Sequence, residues 1–143
     1  MIIESDSDMR RVLGESRIIA MVGLSANATR PSHAVAKYLL AHGYTVIPVN
    51  PGEQEILGQR CYASLAEIPQ KVDIVDCFRK SEEIPPLAQA AIDIGAKVLW
   101  LQLDVINEAA ARLASAAGLD VVMDRCIKID HARLMAGLPV RPG

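Results

Sequence analysis

Aromatic side chains are scarce in this chain. They make up 3% of its 143 residues: one Trp, one Phe and three Tyr. The core has to be built from Ala, Val, Ile and Leu, within an apolar share of 51%. Such a composition suits a buried parallel sheet covered by helices, and the length fits one domain with a real core. Basic charge is also thin. The net charge is −2 and there is no basic tract, which argues against nucleic-acid binding through many phosphate contacts. No apolar run approaches the roughly 20 residues that cross a bilayer. The start, Met1 to Asp8, is too acidic and too short in apolar residues for a signal peptide, so a cytoplasmic location is expected. Cys61, Cys77 and Cys126 are odd in number and far apart, so neither a disulfide framework nor a zinc site is indicated. Cys77 reads as a small core residue. His33, His42 and His131 lack metal-ligand spacing.

What is present is organised around Ile18 to His42. An apolar run of strand length, Ile18 to Val22, leads into a polar loop from Gly23 to Pro31. A helical pattern follows, with Val35, Tyr38 and Leu39 on one side. A strand, a loop and a helix N-terminus form the junction at which α/β folds hold anions, because the first helical turn leaves N–H groups unpaired. Gly23 lets the backbone approach a phosphate without a Cβ in the way. Ser25, Thr29 and Ser32 offer hydroxyls, and Arg30 offers a guanidinium.

Taken in order, Asp6 or Ser7 is expected to cap a first helix that ends near Glu15, with Met9, Val12 and Leu13 facing inward. Gly43 closes the second helix. Thr45 to Val49 is a second strand, stopped by Asn50-Pro51-Gly52. Glu53 to Gln59 reads as an exposed excursion, and Cys61 to Ala63 as extended chain. Ser64 and Glu67 have capping-box spacing for a short helical piece to Ile68. Val72 to Phe78 is a third strand. Ser81 is expected to cap a helix with Pro85 and Pro86 in its first turns, ending at Ile94 before Gly95. Val98 to Leu101 is a fourth strand, with Trp100 as a core residue. An Ala-rich helix runs from about Asn107 to Ala117, and Val121 to Met123 is a fifth strand. Ile129 to Met135 is a final helix, and Pro139 to Gly143 a loose tail.

Five strands alternating with helices predict a parallel sheet wound on both faces, with the first strand at its centre and the ligand at the strands' C-terminal ends. Gly23–Ser32, Asn50–Pro51, Phe78–Arg79, Gln102–Asp104 and Asp124–Lys128 then lie at that edge. No linker, second domain, internal repeat or low-complexity segment interrupts residues 1–143. Asp104, Asp124 and Lys128 read as strand-end or rim residues, because no nucleophile with a positioned base accompanies them. Asp73 and Asp76, three apart, do not share a strand face and are not a catalytic pair.

The dinucleotide fingerprint wants three spaced glycines after strand one and an acid at the end of strand two. Here the loop carries Gly23 alone, and strand two ends in Val49-Asn50-Pro51. No Gly-Lys-Ser or Gly-Lys-Thr P-loop occurs either. An NAD(P)-binding oxidoreductase-like domain is therefore the disfavoured alternative.

An ordered set of stretches carries a resemblance: Ile19 to Ser25, Arg30 to Ser32, Val35 to Leu39, Gly43-Tyr44, Val46 to Pro51, Leu57-Gly58, Val72 to Asp76, Phe78-Arg79, Gly95 to Lys97, Leu99 to Leu103 and Val122 to Cys126. With these the chain resembles the small stand-alone CoA-binding domain proteins, relatives of the N-terminal CoA-binding domain of the succinyl-CoA synthetase alpha subunit. The resemblance covers about Val12 to Asp130. It implies a Rossmann-like fold holding coenzyme A or an acyl-CoA. Gly23, Leu24, Ser25, Arg30 and Ser32 would hold phosphates, and Val49, Asn50 and Pro51 would line the adenosine side. Phe78 and Arg79 would sit over the pantetheine or phosphate path. The synthetase's second domain, with its phosphorylated histidine, has no counterpart in the sequence, so non-covalent binding without a catalytic set is expected. A ligand-sensing partner of a CoA-using enzyme is a further alternative.

Overall fold

The computed structural model describes residues 1–135; the expected tail at Pro139–Gly143 lies outside them. Five strands form one parallel sheet: β1 (Ile18–Val22), β2 (Thr45–Val49), β5 (Ile74–Cys77), β6 (Val98–Leu101) and β7 (Asp120–Val122). Their order is β2-β1-β5-β6-β7. The centre is thus β5, and β1 stands one place to the side, against the expectation of a central β1. The chain leaves β1 in one direction and β5 in the other, so the topological switch point lies between these two strands. A two-residue hairpin, β3 (Glu55–Ile56) with β4 (Gln59–Arg60), occupies the stretch read as an excursion. Ile56 is buried there, and this anchors the hairpin on the core.

Side chains alternate across the sheet as the two-residue strand period requires. Ile19, Met21, Ile74, Val98, Trp100 and Val122 face one layer, with α1 (Asp6–Glu15), α2 (Pro31–Ala41) and α5 (Ile127–Met135). Ala20, Val75, Cys77, Leu99, Leu101 and Val121 face the other, with α3 (Ile84–Asp93) and α4 (Glu108–Ala116). The fold is a doubly wound, Rossmann-like α/β domain. Trp100 is fully buried and donates its indole N–H to the Arg125 carbonyl. Among the described residues, no helix is long and apolar enough to cross a membrane.

Several helix starts differ from expectation. Ser5 caps α1, accepting the Asp8 amide, where Asp6 or Ser7 was expected. Ser64 donates to the Glu67 carboxylate, so no capping box forms and only a 3₁₀ turn, Leu65–Glu67, follows. Ser81 is drawn away to the loop after β6, where its hydroxyl accepts the Ile106 amide; α3 starts three residues later with Pro85 and Pro86 in its first turn. Asn107 caps α4 as its position predicts.

Both outer strands have neighbours beyond the five. Ile2 bridges Val121 in parallel, with the Ile3 amide bonded to the Val121 carbonyl at 2.8 Å. The segment before α1 is therefore an extended margin strip beside β7. On the other side, Tyr62 pairs beside Val49, donating to the Pro48 carbonyl. Pro48 has no N–H, and its missing donor falls on that outer side.

Candidate functional site

The C-terminal ends of β1, β2, β5, β6 and β7 open onto a cleft of about 880 Å³. It spans the switch point, where α/β sheets hold ligands. Six expected site residues line it: Gly23, Ser25, Asn50, Pro51, Phe78 and Arg79. Arg30 and Ser32 line an adjoining 370 Å³ pocket that shares Gly23, Ser25, Pro31 and Phe78 with the cleft. Val49 lines a second neighbour of about 440 Å³, with Val22, Leu65, Leu87 and Ala90 as apolar walls. Leu24 is placed differently: its side chain is fully buried in the core, so only its backbone faces the loop.

The loop after β1 is shaped by its own polar groups. Gly23 has φ +85°, and a Cβ there would overlap the Phe78 carbonyl oxygen. The Ser25 amide donates to Ser32 Oγ at 3.0 Å, and the Asn27 amide to Ser25 Oγ at 3.1 Å. Each serine thus accepts one amide and keeps its own O–H to donate. Asn27 accepts the amide of Thr29 and also its hydroxyl. Asn50 fastens β2 to this loop, donating from Nδ2 to the Leu24 carbonyl, and its Oδ1 accepts the Gly52 amide. Asn50 is therefore a structural anchor as well as a cleft residue.

The N-terminus of α2 is left open. Arg30, at the N-cap position, makes no capping bond, and Pro31 supplies no N–H. Among the described residues the Ser32 amide donates to no protein group, while His33 and Ala34 reach back to the Arg30 carbonyl. An uncapped helix start with a free amide and a positive dipole end is suited to an anion. The Arg30 side chain is exposed and makes no ion pair among the described residues.

Arg79 is held differently. Its Nε lies 2.7 Å from Glu83 Oε2, one helical turn on, and the guanidinium holds the Glu83 carboxyl below its ordinary range. Both residues stand between the main cleft and the apolar pocket, since both line each.

Gln102 and Cys126 also line the cleft, from the ends of β6 and β7. Gln102 donates from Nε2 to Asp76 Oδ1. Asp76 is fully buried, and its second carboxylate oxygen has no partner among the described residues. Burial pushes its pKa up to about 7, against a smaller lowering by Gln102. By contrast, Asp73 sits at the opposite sheet edge and accepts the Arg17 and Ile18 amides. Asp124 accepts the Asp104 amide at 2.7 Å, joining the loops after β6 and β7. Gln102 lay in the strand-end set without an assigned role. Its partner is 26 residues away, so no local spacing could have revealed the pair. Cys126 lay in the strand-end set and in the Val122 to Cys126 stretch, also without an assigned role.

Comparison with known proteins follows the same lines. A family model described as a CoA binding domain matches residues 17–132. The Bacillus subtilis (strain 168) protein YneT is 41% identical over 128 residues, covering 90% of this chain and 95% of its own. A solved structure of a hypothetical protein from Pyrococcus horikoshii OT3 superposes with a TM-score of 0.90 at 42% identity, covering 92% of this chain and 93% of that one. An ADP-forming acetate–CoA ligase from Archaeoglobus fulgidus is 26% identical over 125 residues, which are 78% of this chain but only 18% of the ligase. With its cleft at the switch point and a family match over most of its length, the chain belongs to the CoA binding domain family.

Proposed function

We propose that this protein binds coenzyme A or an acyl-CoA non-covalently in the cleft, as a cytoplasmic binding protein without a catalytic set of its own. The observation that carries this reading is the open start of α2: a Ser32 amide and an Arg30 side chain that have no partner among the described residues, and two serine hydroxyls beside a Gly23 that admits close approach. These groups suit the phosphates. Asn50 and Pro51, with the apolar pocket behind Val49, suit the adenosine. The remaining length of the cleft, past Phe78 toward Gln102, suits the pantetheine arm. The volume of about 880 Å³ lies within the range of cofactor sites. Family membership and the likeness to an acetate–CoA ligase support the same ligand.

Two or three charge-assisted contacts at about 1.5–3 kcal/mol each, set against the cost of ordering a flexible ligand, correspond to micromolar affinity. Titration calorimetry with CoA, acetyl-CoA, 3′-dephospho-CoA and NAD tests the reading. Binding of CoA, weakened when the 3′-phosphate is removed, is the expected result. Heat from NAD and none from CoA would replace it with the dehydrogenase-like alternative. A partner protein captured only with ligand present would add a sensing role.

A further inference from the structure

A glutamine at the floor of the cleft is held from beneath by a buried acid. Asp76 follows Ile74 by two residues and so faces the α1–α2–α5 layer, where its strand neighbours are Met21 and Trp100. Its side chain is fully buried. An acid in such an apolar setting is costly, and a stability role does not explain it, because one carboxylate oxygen is left without a partner among the described residues. What the acid does is fix its single partner. Once ionised, the carboxylate only accepts hydrogen bonds, so Gln102 then has to turn its NH₂ inward, as it does here. The Gln102 carbonyl, and the second N–H of its amide, are then left without protein partners among the described residues. Gln102 is 4% exposed, yet it forms part of the cleft wall. A carboxamide oriented in this way complements another amide: its carbonyl accepts an N–H, and its N–H donates to a carbonyl.

Resting on the CoA reading, we propose that Gln102 recognises a secondary amide of the pantetheine arm, and that Asp76 is the positioning residue that sets the orientation of its carboxamide. The pantetheine arm carries two such amides, while the adenosine and phosphate portions carry none. Selection therefore falls on the arm, and the phosphate contacts at α2 do not share in it. A site built to bond an N–H discriminates against an analogue that lacks it more strongly than apolar contact does.

Calorimetry at pH 8, with Asp76 mostly ionised, tests this with CoA and with adenosine 3′,5′-bisphosphate, which has no pantetheine. Gln102→Met is expected to weaken CoA about tenfold, the size of one lost hydrogen bond, and to leave the bisphosphate unchanged. Asp76→Leu is expected to give the same split, and Asp76→Asn, whose carbonyl still accepts from Gln102, to restore CoA binding. An equal loss for both ligands, or none for CoA, overturns the proposal. A second measurement needs no variant: a CoA analogue with ester oxygens in place of the pantetheine amide nitrogens should bind the wild-type protein about tenfold more weakly. Equal binding of that analogue overturns the proposal as well. Wild-type protein that binds no CoA would overturn the CoA reading itself. CoA binding that Gln102→Met leaves intact would overturn this inference alone.

Discussion

Gly23 and Phe78 approach so closely that no side chain fits between them: a Cβ on Gly23 would overlap the Phe78 carbonyl oxygen, and Gly23 already has φ +85°. The contact joins the ends of β1 and β5 at the switch point, and it leaves a bare backbone facing the cleft. Gly23→Ala should therefore cost at least about 2 kcal/mol, from left-handed backbone strain and overpacking together. CoA affinity should fall with it. Urea unfolding midpoints and calorimetry check both, and an unshifted midpoint would show that the loop can relax around a methyl group.

Arg30→Ala separates binding from folding. The side chain is exposed and holds nothing else among the described residues, so the unfolding midpoint should stay within about 0.5 kcal/mol of wild type. CoA binding should weaken about tenfold or more, the scale of one charge-assisted contact. Unchanged affinity would remove Arg30 from the phosphate site.

Glu83→Gln should act in the opposite direction. Glu83 now occupies Arg79 at the junction of the cleft and the apolar pocket. Removing its charge releases a guanidinium and takes an anion away from a site for phosphates. CoA affinity should rise a few-fold at low salt and less at high salt. Stability should hardly change, since the pair is exposed on both sides.

Asp76 also makes a pH signature. Its pKa is raised, to about 7 by burial, so the native state holds a proton that the unfolded state gives up from pH 4 onward. The contribution is favourable below about pH 4 and is lost as pH rises toward 7. Wild type should therefore lose stability relative to Asp76→Asn over that interval, by up to ~1.4 kcal/mol per pH unit, and lose no more above it. His131 works against this in both proteins. Burial and nearby His42 lower its pKa, so acid below about pH 6.5 destabilises the native state through it. The difference between wild type and variant cancels that effect. A difference that does not vary with pH would refute the assignment.

Strands one, two and four were legible because each is an uninterrupted apolar run bounded by turn residues, and the structure keeps their limits at Ile18–Val22, Thr45–Val49 and Val98–Leu101. The hairpin at Glu55–Arg60 was not, because two-residue strands have no periodicity to read. Its signal was the turn itself, where Leu57 has φ +54° and Gly58 φ +73°. Ser5, Asp6 and Ser7 are all capping types, so composition could not choose between them, and geometry selects Ser5. The first turn of α2 and its preceding loop were visible as a local pattern. The buried Asp76 beneath Gln102 depends on the pairing of β5 with β6, and so it appears only once the sheet is assembled.

The strips beside β7 and β2 bear on how molecules of this protein meet one another. An open sheet usually offers a row of free amides and carbonyls on each flank, and such a row can recruit a strand from a neighbouring molecule. Here Met1 to Ile3 takes up much of one flank, and Tyr62, with the donorless Pro48, blunts the other. Fibrillar growth by strand addition would first have to peel away part of the molecule's own chain. The sheet's flanks are in this sense partly covered by the molecule's own chain, while the cleft at the strand ends stays open to small molecules.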